Sequence, residues 1–139
     1  MRGIPAPSFE LHPVGLVRSA LNRREDCPRQ GIEGGPEADL LIDPAFAEGL
    51  AGLEPGTALI LLTWLHLGRR DVLKVHPKAD PSADLKGVFL TRSPDRPNPI
   101  GLHRVRVLSV EGCRLRVAPL EVLDGTPLAD IKIAIDGEA

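Results

Sequence analysis

Residues 91–101 read Thr-Arg-Ser-Pro-Asp-Arg-Pro-Asn-Pro-Ile-Gly, with Pro94, Pro97 and Pro99 inside six positions. Each proline fixes φ and removes a backbone donor, so this loop has little freedom left to lose when it meets a ligand. Arg92 and Arg96 supply guanidinium forks suited to a carboxylate or phosphate, and Asn98 supplies both a donor and an acceptor. The stretch from Asp124 to Lys132 is the second concentration of chemistry: Asp124-Gly125 predicts a tight turn that lets backbone amides approach a ligand. Asp124 and Asp130 are able to accept from hydroxyls or an amine. Pro28-Arg29-Gln30 sits in a long polar stretch where binding groups commonly reside, and His66 closes an apolar run, where a ring can emerge at a pocket mouth. A stiff surface turn, a plain β-turn and an ordinary strand-end histidine would use the same residues.

Other chemistries lack support. His66, His76, His103 and the cysteines Cys27 and Cys113 show no zinc-ligand spacing, so no metal is expected. There is no G-x-G-x-x-G, no phosphate-loop lysine motif and no G-x-S-x-G elbow, which removes the usual support for dinucleotide-binding, NTPase and hydrolase readings. Aromatic residues make up 3% of the chain, too few for base-stacking platforms of the single-strand-binding kind. The net charge of -2 is unevenly spread: residues 66–106 hold nine Lys/Arg against four Asp/Glu, while the flanking regions are acidic. A basic middle suits an anionic partner, as it also suits a solvated face.

The elements that must position these residues are short. With 14 Gly and 14 Pro in 139 residues, long helices are excluded and many turns are expected. Residues 1–8 read as a loose arm, and residues 9–139 as one domain. Strands are expected over 9–17, 40–42, 58–67, 71–75, 87–91, 105–110, 113–117, 120–123 and 131–135, with a hairpin turn at Glu111-Gly112. Asp43-Pro44 predicts a short helix to about Leu50, with the acid as N-cap and proline at the first helical position. Many short strands with one short helix and long connecting loops must hide their edges, so the expected fold is mainly β: a small closed or strongly curved β-barrel. Its core must come from Leu, Val, Ile and Ala. No export signal or bilayer-length apolar run is present, and the cysteines form no C-x-x-C pair, so a cytoplasmic setting is expected.

The string Gly87-Val-Phe-Leu-Thr-Arg-Ser-Pro-Asp-Arg-Pro-Asn-Pro-Ile-Gly101, with Val122-Leu-Asp-Gly-Thr-Pro-Leu-Ala-Asp-Ile-Lys132 and Pro28-Arg29-Gln30 in the same order, resembles the TsaA-like family of TrmO-type tRNA methyltransferases. The resemblance covers Phe9 to about Ile133, and the opening Val14-Gly15-Leu-Val-Arg18-Ser19 fits the family's first strand. It implies a β-barrel that binds S-adenosyl-L-methionine and works as a homodimer, with N6-threonylcarbamoyladenosine beside the tRNA anticodon as methyl acceptor. By motif, the cofactor site would comprise Pro28, Arg29, Gln30, His66, Leu67, Arg92, Leu102, Leu123, Asp124, Gly125 and Thr126. Arg96, Asn98, Arg69, Arg70 and Lys74 are expected to face the tRNA, and Asp124 is the candidate proton acceptor. Three departures stand out: Lys132 is followed by Ile133-Ala134 where many relatives continue Pro-Tyr, Leu67 stands where some have Gln, and the longer bacterial members extend past the equivalent of Ala139. Methyl transfer on another acceptor, or a sensor that binds the cofactor without turnover, fits the same motifs.

Overall fold

The computed structural model describes residues 7–21, 36–77 and 80–136. The strands are β1 (Gly15–Arg18), β2 (Ala38–Ile42), β3 (Ala58–Trp64), β4 (Lys74–Val75), β5 (Lys86–Gly87), β6 (Ile100–Glu111), β7 (Arg114–Ala118) and β8 (Pro127–Ile133). Six of them close into an antiparallel barrel in the order β1-β2-β7-β6-β3-β8, with β8 pairing back onto β1; β4 and β5 form a separate two-stranded sheet. Closure leaves the barrel with no free edge.

Alternation decides what fills it. Along β6, Gly101, His103, Val105 and Val107 are buried, while Ile100, Leu102, Arg104, Arg106 and Leu108 are exposed. Leu59 and Leu61 of β3 join Val17, Leu40, Leu115, Val117 and Leu128 inside. The buried hydrophobic residues are all Leu, Val, Ile or Ala, as the scarcity of aromatics requires, and Phe9, Phe46 and Phe89 are exposed.

The short helix is a 3-10 helix, Pro44–Leu50, with Pro44 in its first turn and the Asp43 carboxylate accepting from the Ala45 amide at 2.9 Å. Several strand expectations change: the run over 58–67 ends at Trp64, that over 71–75 pairs only at Lys74–Val75, and that over 131–135 starts at Pro127, where Leu128 already pairs with Thr63, and ends at Ile133. Regular pairing of the first strand begins only at Gly15, because residues 7–14 lie outside the ladder and are mostly exposed. The segment 87–91 is largely a second 3-10 helix, Val88–Leu90, preceded by the two-residue β5. Residues 120–123 are not a strand: the Leu120 amide donates to the Pro36 carbonyl at 2.9 Å, and the Val122 carbonyl accepts from Ser19 Oγ at 2.7 Å. Finally, β6 starts five residues earlier than its sequence suggests.

The registers fix which loops meet. Trp64 pairs with Ile100 and Thr63 with Leu128, so the end of β3 lies between the starts of β6 and β8. Antiparallel order then places the connections 65–99 and 119–126 at one rim of the barrel, together with the end of β1 and the start of β2. The opposite rim carries the Glu111-Gly112-Cys113 hairpin and the Pro44–Leu50 helix.

Candidate functional site

His66 and Leu67 leave β3 at the shared rim, and both are exposed. The chain turns at once, with the Gly68 amide donating to Leu65 C=O at 2.8 Å. A side chain at Gly68 would run into the Pro94 carbonyl oxygen, so glycine permits the close approach of this turn to the proline-rich loop. Four bonds then join the two segments. Arg69 N–H donates to Asp95 Oδ1 at 2.9 Å, and its carbonyl accepts from the Arg96 amide at 2.8 Å. Arg70 donates from Nε to Pro97 C=O at 2.7 Å and from Nη2 to Asn98 Oδ1 at 3.1 Å. The Arg70 guanidinium also lies 5.1 Å from the Trp64 ring centroid, a cation–π distance.

The five residues expected to face tRNA thus divide. Arg96 is turned inward: Nη1 donates to Thr91 C=O at 3.0 Å and Ser93 C=O at 3.1 Å, and Nη2 to Val88 C=O at 2.6 Å. Those carbonyls belong to the 3-10 helix and the turn after it, so Arg96 folds the loop around itself. Arg69 is paired with Asp71 through two bonds of 3.2 and 3.0 Å. Their hydrogen bond raises the Arg69 pKa and lowers that of Asp71. Arg70 holds Asn98 in the loop. Lys74, on β4, is exposed, and among the described residues no hydrogen bond or ion pair engages its ammonium.

Among the expected cofactor contacts, Arg92 is exposed on the same loop, and no hydrogen bond or ion pair holds its guanidinium among the described residues. Leu123, Asp124, Gly125 and Thr126 form the turn that starts β8, with Gly125 at φ +84°, a conformation glycine adopts freely. The turn is locked onto β1. Asp124 Oδ1 accepts from the Ser19 amide at 3.1 Å, Oδ2 lies 3.4 Å from Arg18 Nη1, and the Gly125 amide donates to Val17 C=O at 2.7 Å. Thr126 is buried and returns its hydroxyl to Leu123 C=O at 2.7 Å. Leu102 faces the outside of the barrel, in a groove of about 540 Å³ that it shares with Ile60, Leu62, Lys132, Ile133 and Ile135. Pro28, Arg29 and Gln30 lie outside the described residues. The residues flanking that stretch are held to the Asp124 connection: Leu21 C=O accepts from the Asp124 amide at 2.8 Å and Pro36 C=O from the Leu120 amide.

One arrangement had no precursor in the motif reading. Inside the rim, Thr63 Oγ1 lies 2.8 Å from His103 Nε2, and His103 Nδ1 lies 3.2 Å from Glu121 Oε1. The His103 and Glu121 side chains are 7% and 9% exposed, so the pair is buried. The available signal was the strict alternation along β6, which puts position 103 on the same face as Val105 and Val107. Among the described residues, no group of three His, Cys, Asp or Glu side chains is arranged to hold a metal. No helix among them is long and apolar enough to cross a membrane.

Residues 16–136 match the family model of the tRNA-methyltransferase O N-terminal domain. The chain belongs to this family. An S-adenosyl-L-methionine-binding protein of Archaeoglobus fulgidus is 43% identical over 122 residues, covering 88% of this chain and 86% of its own. A protein of Methanothermobacter thermautotrophicus, named as a probable S-adenosyl-L-methionine-binding protein, is also 43% identical, over 124 residues covering 89% and 88%. Among solved structures, a TrmO superposes with a TM-score of 0.76 at 34% identity, and TrmO from Pseudomonas aeruginosa with 0.75 at 31%. Both alignments take in 96% of this chain, which spans 60–62% of those two TrmO chains.

Proposed function

We propose that the chain is an S-adenosyl-L-methionine-dependent methyltransferase acting on tRNA, with N6-threonylcarbamoyladenosine beside the anticodon as its acceptor. The observation that supports this reading is that the connections 65–99 and 119–126, which carry His66, Leu67, Arg92 and the 123–126 turn, both leave from the rim at the end of β3. The names of the two archaeal relatives and the likeness to TrmO support it.

The residues present suit the cofactor's chemistry. Arg92 offers a guanidinium, unengaged among the described residues, for the carboxylate of the methionyl part, the Gly125 turn offers backbone groups, and Leu67, Leu102 and Leu123 offer apolar surface to an adenine. When bound, the cofactor supplies an activated methyl carbon on a sulfonium. The protein's task is alignment, and holding two reactants in an attack geometry contributes roughly 7–11 kcal/mol, so no strong nucleophile is needed. Asp124 engages the end of β1 with both oxygens, so its work is to hold the turn that receives the ligand. The exposed Lys74 supplies positive charge for a tRNA phosphate. A second copy of the chain is proposed to cover the outer groove that contains Leu102, joining the cofactor site to a homodimer interface. The setting is proposed to be cytoplasmic, where tRNA is found.

The test is transfer of labelled methyl from S-adenosyl-L-methionine onto tRNA carrying threonylcarbamoyladenosine, followed by nucleoside mass spectrometry. Methylated product on that nucleoside supports the reading. Cofactor binding without methylated tRNA refutes it. A sensor role then gains weight, a reading favoured by relatives that are named for binding alone.

A further inference from the structure

Thr63, His103 and Glu121 come from three different elements, and each adjoins a different part of the proposed cofactor site. Thr63 lies on β3 three residues before His66, His103 follows Leu102 on β6, and Glu121 stands two residues before Leu123. The β3–β6 ladder already fixes two of these elements. The connection holding Glu121 has no ladder; the bonds described above tie it to β1 and Pro36, and the bond to His103 ties it to β6.

The geometry is arranged around the imidazole. Thr63 faces Gly101 across the β3–β6 pair, and His103 sits one inward position further along β6. A methyl group at Gly101 would overlap Thr63 Oγ1 and lie 2.6 Å from His103 Nε2, so the absence of a side chain there opens the route between them. The β3–β8 register shifts between Leu62 and Thr63, a local irregularity of the kind that re-aims a side chain. A carboxylate can only accept, so His103 Nδ1 carries the proton toward Glu121, which leaves Nε2 to take the Thr63 hydroxyl proton in the neutral ring. Glu121 Oε2 is buried without a partner among the described residues, so His103 is the polar group that holds this carboxylate in place.

We propose that Thr63, His103 and Glu121 are positioning residues for the cofactor: a directional hydrogen-bonded latch that sets the spacing of the three segments that bind it. The inference rests on the S-adenosyl-L-methionine reading above. Leucine and valine packing at the same rim excludes water but tolerates sliding, whereas two hydrogen bonds through one rigid ring define both distance and angle.

The test uses the full chain, titration calorimetry with S-adenosyl-L-methionine well below the melting temperature, and a thermal melt of each variant. Thr63→Val and Glu121→Leu remove one bond each, while Thr63→Ser and Glu121→Gln retain an oxygen for the ring. The first two are expected to weaken cofactor binding by about five- to tenfold, the worth of one hydrogen bond, and the conservative pair to restore it to within about twofold. In wild type labelled with ¹³C-histidine, the His103 ring resonances should shift as cofactor is added. Wild-type affinity in Thr63→Val and in Glu121→Leu, or in Thr63→Val alone should Glu121→Leu not fold, would overturn the latch, even if the variants melt at lower temperature. No binding by the wild type would instead overturn the cofactor reading on which the latch depends.

Discussion

Thr63 and Gly101 face each other across the β3–β6 pair, and the missing side chain at Gly101 is the space in which His103 Nε2 reaches Thr63 Oγ1 at 2.8 Å. A glycine in the middle of a paired strand ordinarily weakens it. Here it admits a polar bridge. Gly101→Ala should therefore destabilise the protein, by about 1–3 kcal/mol as in other overpacked cores, and should shift the His103 ring resonances. Thermal unfolding and an imidazole NMR spectrum check this; an unchanged spectrum would mean the ring does not depend on that space.

Arg92 and Arg96 sit four positions apart and should behave oppositely. Arg96 donates to three backbone carbonyls, of which Val88 C=O keeps Thr91 as a donor, so Arg96→Ala takes the arginine's bonds from Thr91 C=O and Ser93 C=O in a partly buried loop and should lower stability by about 1–3 kcal/mol. Arg92 is exposed and unengaged among the described residues, so Arg92→Ala should change stability by less than about 0.5 kcal/mol while weakening S-adenosyl-L-methionine binding. Paired melts and calorimetry separate the two; a collapse of stability in Arg92→Ala would make that arginine structural.

Asp39 gives a prediction about pH. Burial pushes its carboxyl up, but hydrogen bonds and charge from Arg114 and Arg116 outweigh burial and hold it below the ordinary value of 3.8. A depressed native pKa means a contribution to stability that is present above the ordinary value and lost as pH falls through the native one. Asp39→Asn should then melt below wild type at pH 7, with the difference closing as pH drops beneath 3.8. Melting curves from pH 7 to 2 would show it; a constant gap would mean the arginines contribute packing alone.

Lys74 is the exposed cation of β4 with no described partner. If it meets a tRNA phosphate, Lys74→Ala should make the dependence of tRNA affinity on salt shallower by about one counterion. Filter binding over a salt series reads the slope, and an unchanged slope would take Lys74 off the RNA face.

Local structure was legible where the sequence is dense and unusual: the prolines of 94–99 lie in the 65–99 connection and Asp124-Gly125 makes the turn into β8, and both connections leave from one rim. What sequence could not reveal was how side chains spend their donors. Arg69, Arg70 and Arg96 look like free cations in a string of letters, yet each guanidinium closes bonds inside the 65–99 connection, Arg69 on Asp71, Arg70 on Pro97 and Asn98, and Arg96 on Val88, Thr91 and Ser93. In the sequence His103 reads only as a metal-ligand candidate, because Gly101 and His103 are not apolar letters and the apolar alternation of β6 starts at Val105. Residues 120–123 read as a strand because Leu120 and Val122 are buried, but burial alone does not specify a ladder partner.

The hairpin at Glu111-Gly112-Cys113 stands at the far rim, with the length of the strands between it and the connections 65–99 and 119–126 proposed to bind the cofactor. Such a division lets one end of the protein be altered without disturbing the other. A fluorophore, affinity handle or fused partner grafted at that hairpin would report on the molecule from the pole opposite its proposed binding site.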